Sequence, residues 1–479
     1  MSRPSRPAAG KLPYDIDPEP LKEVLTARGG LPIVAETFRA LGADAAVRQH
    51  VHVKERNRGF DEATMVESFV LLLAAGGDCL DDLDILAKDA GLVKLLDHPI
   101  PSPEAARQFL YRFHDEEELA RRPQTALAWT PTESAPLAGL AVASRAVIGE
   151  VGRRRPAQKI ATVDMDATII ESRKREAFAH YDGGRGYQPE VAVWAETGLI
   201  LADEFRDGNV PAGSDPLSVT KRAFASLPPT ITERNFRGDS ACYNHDLLNW
   251  LRDENRKDGP AGKIRFAVSA DMSQDLRARI EALSEAEWTL TKRPGGQADP
   301  ADVNEERSWA EVTFVPNGTT KKGAQPDRYL AIRIRPRQRA LLGEREGVRH
   351  YAVVTNELEW DGAKLLWWHR AKAGTVEMVH DILKNELGAG VMPCGRFGAN
   401  AAWFRLNVLT HNLLVALKWL ALPPELLDAR PKRLRFRFFT VAARVTESAR
   451  KMVLRVADAV SDVLALGATR SALWDPTPA

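Results

Sequence analysis

A short strand-like segment that carries two acids places the strongest constraint on the fold of this chain. In KIATVDMDATIIES, from Lys159 to Ser172, polar and apolar residues alternate, which is the pattern of a β-strand. Asp164 and Asp166 lie two residues apart, so both carboxylates share one face of that strand. Burying carboxylates in a central strand costs free energy unless something compensates them. The segment therefore predicts either a strand that presents acids to a site or an edge strand with a polar face.

Composition limits the class of protein. The chain has 479 residues, of which 44% are hydrophobic and 27% charged, so we expect a globular protein of two or three domains. The net charge of +1 excludes a strong overall field, so any contact with nucleic acid depends on local clusters of cations. Cys79, Cys242 and Cys394 are too far apart for a disulfide framework or a zinc motif. The N-terminus has no apolar signal region and the longest apolar runs are short, so we expect a cytoplasmic protein without a membrane partner.

The N-terminal third has the pattern of a helical region. A Pro-rich flexible tail is expected at 1–20 and helices with a final linker at 21–155, where RRPQTALAWTPTESAPLAGL and GRRRPAQ mark the linker. Asp61 and Ser102 are predicted helix N-caps, and Gly76-Gly77 separates two helices. Short helices joined by tight turns suit a helix-turn-helix-like DNA-binding module, and a helical dimerisation or packing domain fits equally well.

Strands dominate the middle of the chain, so the predicted fold class is α/β. Residues 186–208 predict a hairpin that turns at Glu196-Thr197-Gly198, and KIRFAVSA, residues 263–270, predicts a further strand. We expect the first part of a mixed core at 156–270, a β-rich insertion at 271–365, and two core helices at 366–425. Residues 426–479 are predicted to form a basic C-terminal tail.

Two further acids stand in settings that suit a site. Asp239, in RGDSACY, is expected at a strand end before a helix, and a simple N-cap is the ordinary alternative. Glu377, in GTVEMVHDILKNELG, lies beside the buried stripe of a predicted helix, and an exposed face with charge pairs is the alternative. Acids that converge from a strand, a strand end and a helix suit two-metal phosphoryl transfer, because hard divalent cations prefer oxygen ligands.

Taken in order, these motifs resemble a bacterial insertion-sequence DDE transposase of the group described as transposase DDE domain, group 1. The likeness rests on Asp166-Ala167-Thr168 at a strand end, on RGDSACY before a helix, and on GTVEMVHDILKNELG followed by ANAAWFRLNVLTHNLL. It covers most of the chain and implies an RNase H-like catalytic core with a β-rich insertion. It also implies a catalytic and metal-binding triad of Asp166, Asp239 and Glu377, with Asp164 as an additional candidate ligand.

One part of the resemblance departs from the pattern of related transposases. Glu377 and Lys384 match the end of their Tyr-x2-Arg-x3-Glu-x6-Lys signature, but its Tyr and Arg positions fall on Arg370 and Ala373. The neighbouring His369, Arg370 and Lys372 are the candidates to supply the basic function instead.

The resemblance implies cut-and-paste DNA transposition. Water would hydrolyse the phosphodiester at the element end, and the freed 3′-hydroxyl would attack target DNA. The expected cofactors are two Mg²⁺ ions, for which Mn²⁺ substitutes, and the expected partners are terminal inverted repeats and target DNA bound by a homodimer, at the nucleoid when on DNA. The alternatives are an RNase H-like metal-dependent nuclease without strand transfer and a domesticated, catalytically silent DNA-binding protein.

Clusters of cations are the candidates for DNA contact. RIRPRQR and KRLRFRFF place arginines at alternating positions, as on one face of a strand. Contacts of this kind with phosphates provide affinity and salt dependence rather than sequence recognition, and a solvated face is the alternative. The predicted DNA-binding residues are Arg333, Arg335, Arg337, Arg370, Lys372, Lys384, Arg433, Arg435 and Arg437.

Overall fold

A computed structural model of the chain describes residues 12, 14, 16–19, 21–54, 56, 58–123, 128–291, 305–316, 327–336, 347–448, 451–457 and 460–474. Most of the predicted tail at 1–20 lies outside these residues. The described helices are α1 (Pro32–Ala40), α2 (Ala43–His50), α3 (Glu62–Ala75), α4 (Leu83–Ala87), α5 (Ala90–Leu96), α6 (Pro103–Tyr111), α7 (Glu116–Ala120), α8 (Ala135–Arg154), α9 (Pro216–Ala225), α10 (His245–Arg252), α11 (Gln274–Glu281), α12 (Gly362–Arg370), α13 (Ala373–Asp381), α14 (Phe397–Leu420), α15 (Pro431–Leu434) and α16 (Val460–Trp474).

The strands follow the same chain order. They are β1 (Leu25–Thr26), β2 (Ile160–Ala167), β3 (Ile170–Glu171), β4 (Phe178–Ala179), β5 (Arg185–Tyr187), β6 (Glu190–Trp194), β7 (Leu199–Glu204), β8 (Glu233–Gly238), β9 (Ile264–Ser269), β10 (Thr289–Leu290), β11 (Glu305–Val312), β12 (Arg328–Pro336), β13 (Arg349–Thr355), β14 (Ala443–Ser448) and β15 (Lys451–Val456).

The described strands build one large mixed sheet in the order β10-β11-β12-β13-β9-β8-β2-β6-β7. Strands β2, β8 and β9 run parallel, and β6 pairs antiparallel with β2 and with β7. The predicted hairpin is therefore β6–β7, and Gly198 in its turn takes a left-handed φ of 79° that favours glycine. Three antiparallel strands followed by two parallel ones, with helices between, form the RNase H-like core that the sequence predicted.

The predicted insertion does not form a separate sheet. Strand β13 pairs antiparallel with β9, and β12 and β11 follow in turn, so these strands extend the core sheet on the side away from β7. Alternation in β11–β13 correctly indicated strands, but it could not indicate which strand they would pair with, because that choice depends on residues far away in sequence.

The helical N-terminal region shares one hydrophobic core with the sheet. Asp61 and Ser102 are N-caps as predicted, and α3 ends at Gly76, whose φ is 96°. Every residue of α3 from Met65 to Ala74 is buried, so α3 has no face left for a DNA groove. For this helix the packing interpretation fits better than the helix-turn-helix one.

The predicted linker is mostly helical. Residues 135–154 form α8, which packs against α2 and α14, because its apolar residues recur at helical spacing despite the Pro and Gly in the segment. Helix α8 is also long and apolar enough to cross a membrane, and half of the window that qualifies is buried inside the protein. The bent pair Glu62–Ala75 and Leu80–Ala87 passes the same test when counted as one span. We expected every apolar run to be too short to span a bilayer. By the length and composition of these helices, that expectation was wrong.

Helix α14 is the centre of the core and is buried from Gly398 to Leu417. A helix that is buried all round has no polar face, so each of its polar side chains needs a partner inside the protein. Asn412 accepts from the Ile200 amide and donates to the Ile200 carbonyl of edge strand β7, both at 2.8 Å. These bonds satisfy backbone groups that an open edge would expose.

The segment predicted as a basic tail is folded in its described part. Strands β14 and β15 form a hairpin that continues onto β1, and α16 packs against α1. The described N-terminal and C-terminal parts of the chain therefore meet. The tail interpretation relied on charge, but Ala443 and Val445 on β14 and Leu454 and Val456 on β15 alternate with exposed residues and supply one strand face.

Candidate active site

Two of the predicted acids meet where neighbouring parallel strands end. Strands β2 and β8 pair in a register that places Asp164 beside Arg237 and Met165 beside Gly238. Asp166 and Asp239 are the next residues on each strand, so their side chains project from adjacent positions at the same edge. Asp239 also accepts from the Ala241 amide at 3.0 Å, which makes it the N-cap of a short turn. Asp239 is therefore an N-cap and also lies at the candidate site, so the two interpretations do not exclude each other.

The two acids repel each other. Burial raises the pKa of Asp239, and the Asp166 carboxylate raises it further, while Lys372 opposes both effects. The Lys372 ammonium lies 3.4 Å from Asp166 Oδ1. Like-charged carboxylates at a desolvated strand end are unfavourable unless a cation shares their charge. In this structure Lys372 provides part of that charge.

Asp164 takes no part in this pair. Its carboxylate is fully buried, and the Arg237 Nε and Nη2 donate to Oδ1 and Oδ2 at 2.6 and 2.7 Å. The Thr375 hydroxyl also donates to Asp164. Both carboxylate oxygens of Asp164 accept hydrogen bonds, and these bonds connect β2 to β8 and to α13. Because neither oxygen is free, the geometry does not favour Asp164 as a metal ligand. The sequence could not reveal this, because Arg237 is 73 residues away.

Glu377 faces the acids from α13. Val376, Val379 and Leu383 form the predicted buried stripe, and Glu377 is exposed beside it. A cavity of about 390 Å³ is lined by both Asp239 and Glu377. In the described part of the chain, the oxygens of the three acids do not all lie within 4.8 Å of one another, so Glu377 stands at the rim of the site.

The donor set fits a hard divalent cation. Asp166, Asp239 and Glu377 offer only oxygen atoms, which Mg²⁺ and Mn²⁺ accept while keeping several waters. Burial raises the pKa of Asp239 most, and the Asp166 carboxylate adds to that shift, so a bound cation would be favoured here. Burial also raises the pKa of Glu190 to about 8, although Arg206 Nη2 lies 2.6 Å from Glu190 Oε2.

The basic residues around Glu377 make different contacts. His369 lies against the Gly238 carbonyl at 3.0 Å, and burial lowers its pKa to about 4, so this imidazole is neutral and supplies no charge. Lys372 points at Asp166, and Arg370 lines the cavity. Lys384 lies in the π-helical turn Ile382–Glu386 that continues α13. It donates to the Thr168 hydroxyl and the Ile169 carbonyl at 3.1 and 3.3 Å, which ties this turn to the residues that follow β2.

The first predicted arginine cluster is largely internal. Arg333 is buried, pairs with Glu285, and stacks 4.2 Å from the Trp288 ring centre, so it has no surface for DNA. Arg335 is partly exposed and also pairs with Glu285. Arg337 lies outside the described residues. Alternation placed the arginines on one strand face correctly, but that face is covered by the turn that carries Glu285.

The second predicted cluster is helical. In KRLRFRFF the buried positions are Leu434, Phe438 and Phe439, which follow Pro431 at helical spacing, and the segment forms α15 and a π-turn. Arg435 turns inward and donates to the Glu386 carbonyl at 2.9 Å. The exposed positions are Lys432, Arg433, Phe436 and Arg437, and Phe436 is 83% exposed. The strand interpretation failed because alternation over five residues does not distinguish the two periods.

Sequence reasoning missed a second basic surface. A cavity of about 470 Å³ beside α3 and α6 has Phe60, Met65 and Phe109 among its lining, and none of the described residues that line it is acidic. Its cations, which define what we call the basic cleft, are Lys54, Arg56, Arg58 and Arg112. The alternating cations of VKERNRGF were the available signal, since Lys54, Arg56 and Arg58 recur at every second position.

His380 was also missed. It lies on α13 three residues after Glu377, and its Nε2 is 3.9 Å from Asp166 Oδ2. The Glu-x-x-His spacing in VEMVHD was the only sequence signal for it.

Comparison with known proteins supports a single family. A comparison with curated protein sequences finds no match. Among solved structures, a cryo-EM structure described as a piggyBac transposase synaptic complex with hairpin DNA is similar, with a TM-score of 0.41 and 10% identity over 80% of this chain and 72% of that one. That likeness is too slight to support any inference about this chain. The family model described as Transposase DDE domain group 1 matches residues 23–473, which is nearly the whole chain, and we conclude that the protein belongs to that transposase family.

Proposed function

We propose that this protein is a DNA transposase that cuts the ends of its element and joins them to target DNA. One observation carries the proposal: Asp166 and Asp239 lie at the ends of neighbouring parallel strands, and Glu377 lines the same cavity as Asp239. Membership of the transposase family supplies the reaction class. Cytoplasmic action on the nucleoid and synapsis of two ends by a homodimer belong to the same proposal.

Each residue of the site has a role in this proposal. Asp166, Asp239 and Glu377 hold divalent cations, which when bound activate the attacking water or 3′-hydroxyl and stabilise the leaving oxygen. Lys372 balances the charge of Asp166 in their absence and is positioned to contact an incoming phosphate. Asp164 and Lys384 keep α13 in place against β2, since each bonds across that interface.

Two exposed surfaces are proposed to track the DNA backbone. The first is the basic cleft, in which four cations lie around the apolar residues Phe60, Met65 and Phe109. The second is the face of α15 and the following turn that carries Arg433, Phe436 and Arg437. Cations beside an exposed aromatic ring suit a nucleic acid, because phosphates and base faces are recognised together.

Strand transfer is the decisive test of the function. DNA that carries the element ends is incubated with a target plasmid, the protein and Mg²⁺ or Mn²⁺, and both nicked and joined products are measured. The wild type should yield joined product. Asp239→Asn should lower the rate by about 10³-fold or more, because a lost ligand removes several kcal/mol of transition-state stabilisation. Asp246→Asn is the matched control, since Asp246 is exposed seven residues later and should leave the rate unchanged.

The outcome separates the alternatives. Cleavage without joining would favour the nuclease, and DNA binding without cleavage would favour the silent DNA-binding protein. Equal rates for the Asp239→Asn and Asp246→Asn variants would remove Asp239 from the site.

Salt dependence tests the DNA-contact surfaces. Replacing both Arg56 and Arg58 by Gln should reduce the slope of log affinity against log salt by about one for each lost phosphate contact. Arg153→Gln is the control, because Arg153 is also exposed and is held by Glu150 on its own helix. An unchanged slope for the Arg56 and Arg58 double variant would exclude the basic cleft from the interface.

A further inference from the structure

His380 is a buried imidazole that the acidic triad leaves unexplained. It is 6% exposed, and within the described part of the chain neither ring nitrogen forms a hydrogen bond of normal geometry, although the Asp166 backbone lies within interacting distance of the ring. A buried polar atom that lacks a well-formed hydrogen bond is costly, so native proteins rarely retain one without a reason. The nearest acid is Asp166, whose Oδ2 lies 3.9 Å from His380 Nε2.

We propose that His380 is a nitrogen ligand of a divalent cation that it shares with Asp166, and that it makes the site prefer Mn²⁺ to Mg²⁺. The inference rests on the proposed function only in taking Asp166 as a metal ligand. Two ligand atoms bound to one ion at about 2.1 Å lie at most about 4.2 Å apart, so the 3.9 Å separation can be bridged by a single ion.

Helix geometry brings the imidazole and Glu377 to the same side. Residues three apart are neighbours on a helix surface, so Glu377 and His380 both lie toward the strand ends. The Glu-x-x-His arrangement is also the one by which helices present a carboxylate and an imidazole to a shared metal. Glu377 is exposed and His380 is buried, so the two side chains lie at different depths along this side of α13.

The metal preference follows from ligand chemistry. Mn²⁺ accepts an imidazole nitrogen more readily than Mg²⁺ does, because Mg²⁺ demands oxygen ligands and gives up its waters reluctantly.

Pulsed electron paramagnetic resonance of the DNA-free, full-length protein with Mn²⁺ tests the assignment directly. A ¹⁴N coupling from a bound imidazole should appear in the wild type. It should be lost in His380→Ala and retained in His180→Ala, a control in which another buried imidazole without a hydrogen-bond partner is removed. Absence of the coupling in the wild type would overturn the proposal without any variant. Persistence of the coupling in His380→Ala would assign it to another imidazole, such as His369, and would also overturn the proposal.

Metal titration tests the preference. His380→Ala should weaken Mn²⁺ binding at least about tenfold and Mg²⁺ binding less than about threefold. Equal losses for both ions would indicate a purely structural role and would refute the proposal. The result is independent of strand transfer: a protein with the ¹⁴N coupling but no joining activity would refute the proposed function and leave the ligand assignment standing.

Discussion

The Arg237–Asp164 pair is expected to be the interaction on which the geometry of the site depends most. It lies at the centre of the sheet, with Asp164 inaccessible and Arg237 almost so. Arg237 also donates from Nη1 to the Trp368 carbonyl at 2.5 Å, and Thr375 donates to Asp164. The pair therefore joins β2 and β8 to α12 and α13, the helix that carries Glu377.

The expected loss follows from desolvation. Arg237→Met leaves the Asp164 charge buried with one hydroxyl donor, which should cost about 3–5 kcal/mol of unfolding free energy. Asp164→Val leaves the guanidinium buried and should cost a similar amount. The double variant removes both charges and leaves mainly the Trp368 carbonyl without its donor, so it should cost only about 1–3 kcal/mol. The sum of the single losses would be about 6–10 kcal/mol, so the cycle should show strong coupling.

Urea unfolding followed by tryptophan fluorescence measures these losses, and the Trp368 ring lies 5.3 Å from the Arg237 guanidinium, so it reports on the site. Lys221→Met is the control, because the Lys221–Asp258 pair is largely exposed and should contribute less than about 1 kcal/mol. A loss below about 1 kcal/mol for Arg237→Met would refute the reasoning, since it would mean that Asp164 is not a desolvated charge. A double variant whose loss equals the sum of the single losses would refute the coupling.

Two further predictions concern pH. The folded-state pKa of Asp239 is raised, so its ionised carboxylate opposes folding once the pH exceeds the unfolded-state pKa of about 3.9. Asp239→Asn should therefore raise the melting temperature of the metal-free protein at pH 7–8 and have no such effect below about pH 4. A lower melting temperature at pH 8 would contradict this. The hydrogen bond with Glu67, at 2.8 Å, raises the pKa of His98, so its contribution to stability should be complete below about pH 6.5 and lost as the pH rises through the folded value. His98→Gln should flatten that part of the stability profile in thermal melts, and an unchanged profile would exclude the pair as its cause.

Local features were predictable because each depends on a few neighbouring residues. The caps at Asp61 and Ser102, the turn at Gly198 and the alternation in β2 all need only local backbone preferences. Asp239 was expected at a strand end before a helix, and the structure places it there. The RNase H-like core and the transposase family were predicted from the resemblance of the ordered motifs to known transposases, and the family is confirmed.

Errors arose where a pattern was short or a partner was distant. Five alternating residues around Arg435 fitted a strand, but burial of Leu434 and Phe438 selected a helix. Arg333 had the composition of a DNA contact, but Glu285, 48 residues away, holds it inside the protein. Charge composition does not show which cations are already paired.

The sequence by itself determined the fold class, the family and the elements on which Asp166, Asp239 and Glu377 lie, because chain order and local periodicity are properties of the sequence. Only the tertiary structure decided what the two aspartates of the opening strand do. Asp164 and Asp166 lie on the same strand face, two residues apart, but they contact different residues. Asp164 pairs with Arg237 within the sheet, whereas Asp166 lies near Asp239 and His380 at the end of the strand. The same carboxylate is a buried anchor in one place and a candidate metal ligand in the other, because long-range packing determines which charge is compensated within the protein.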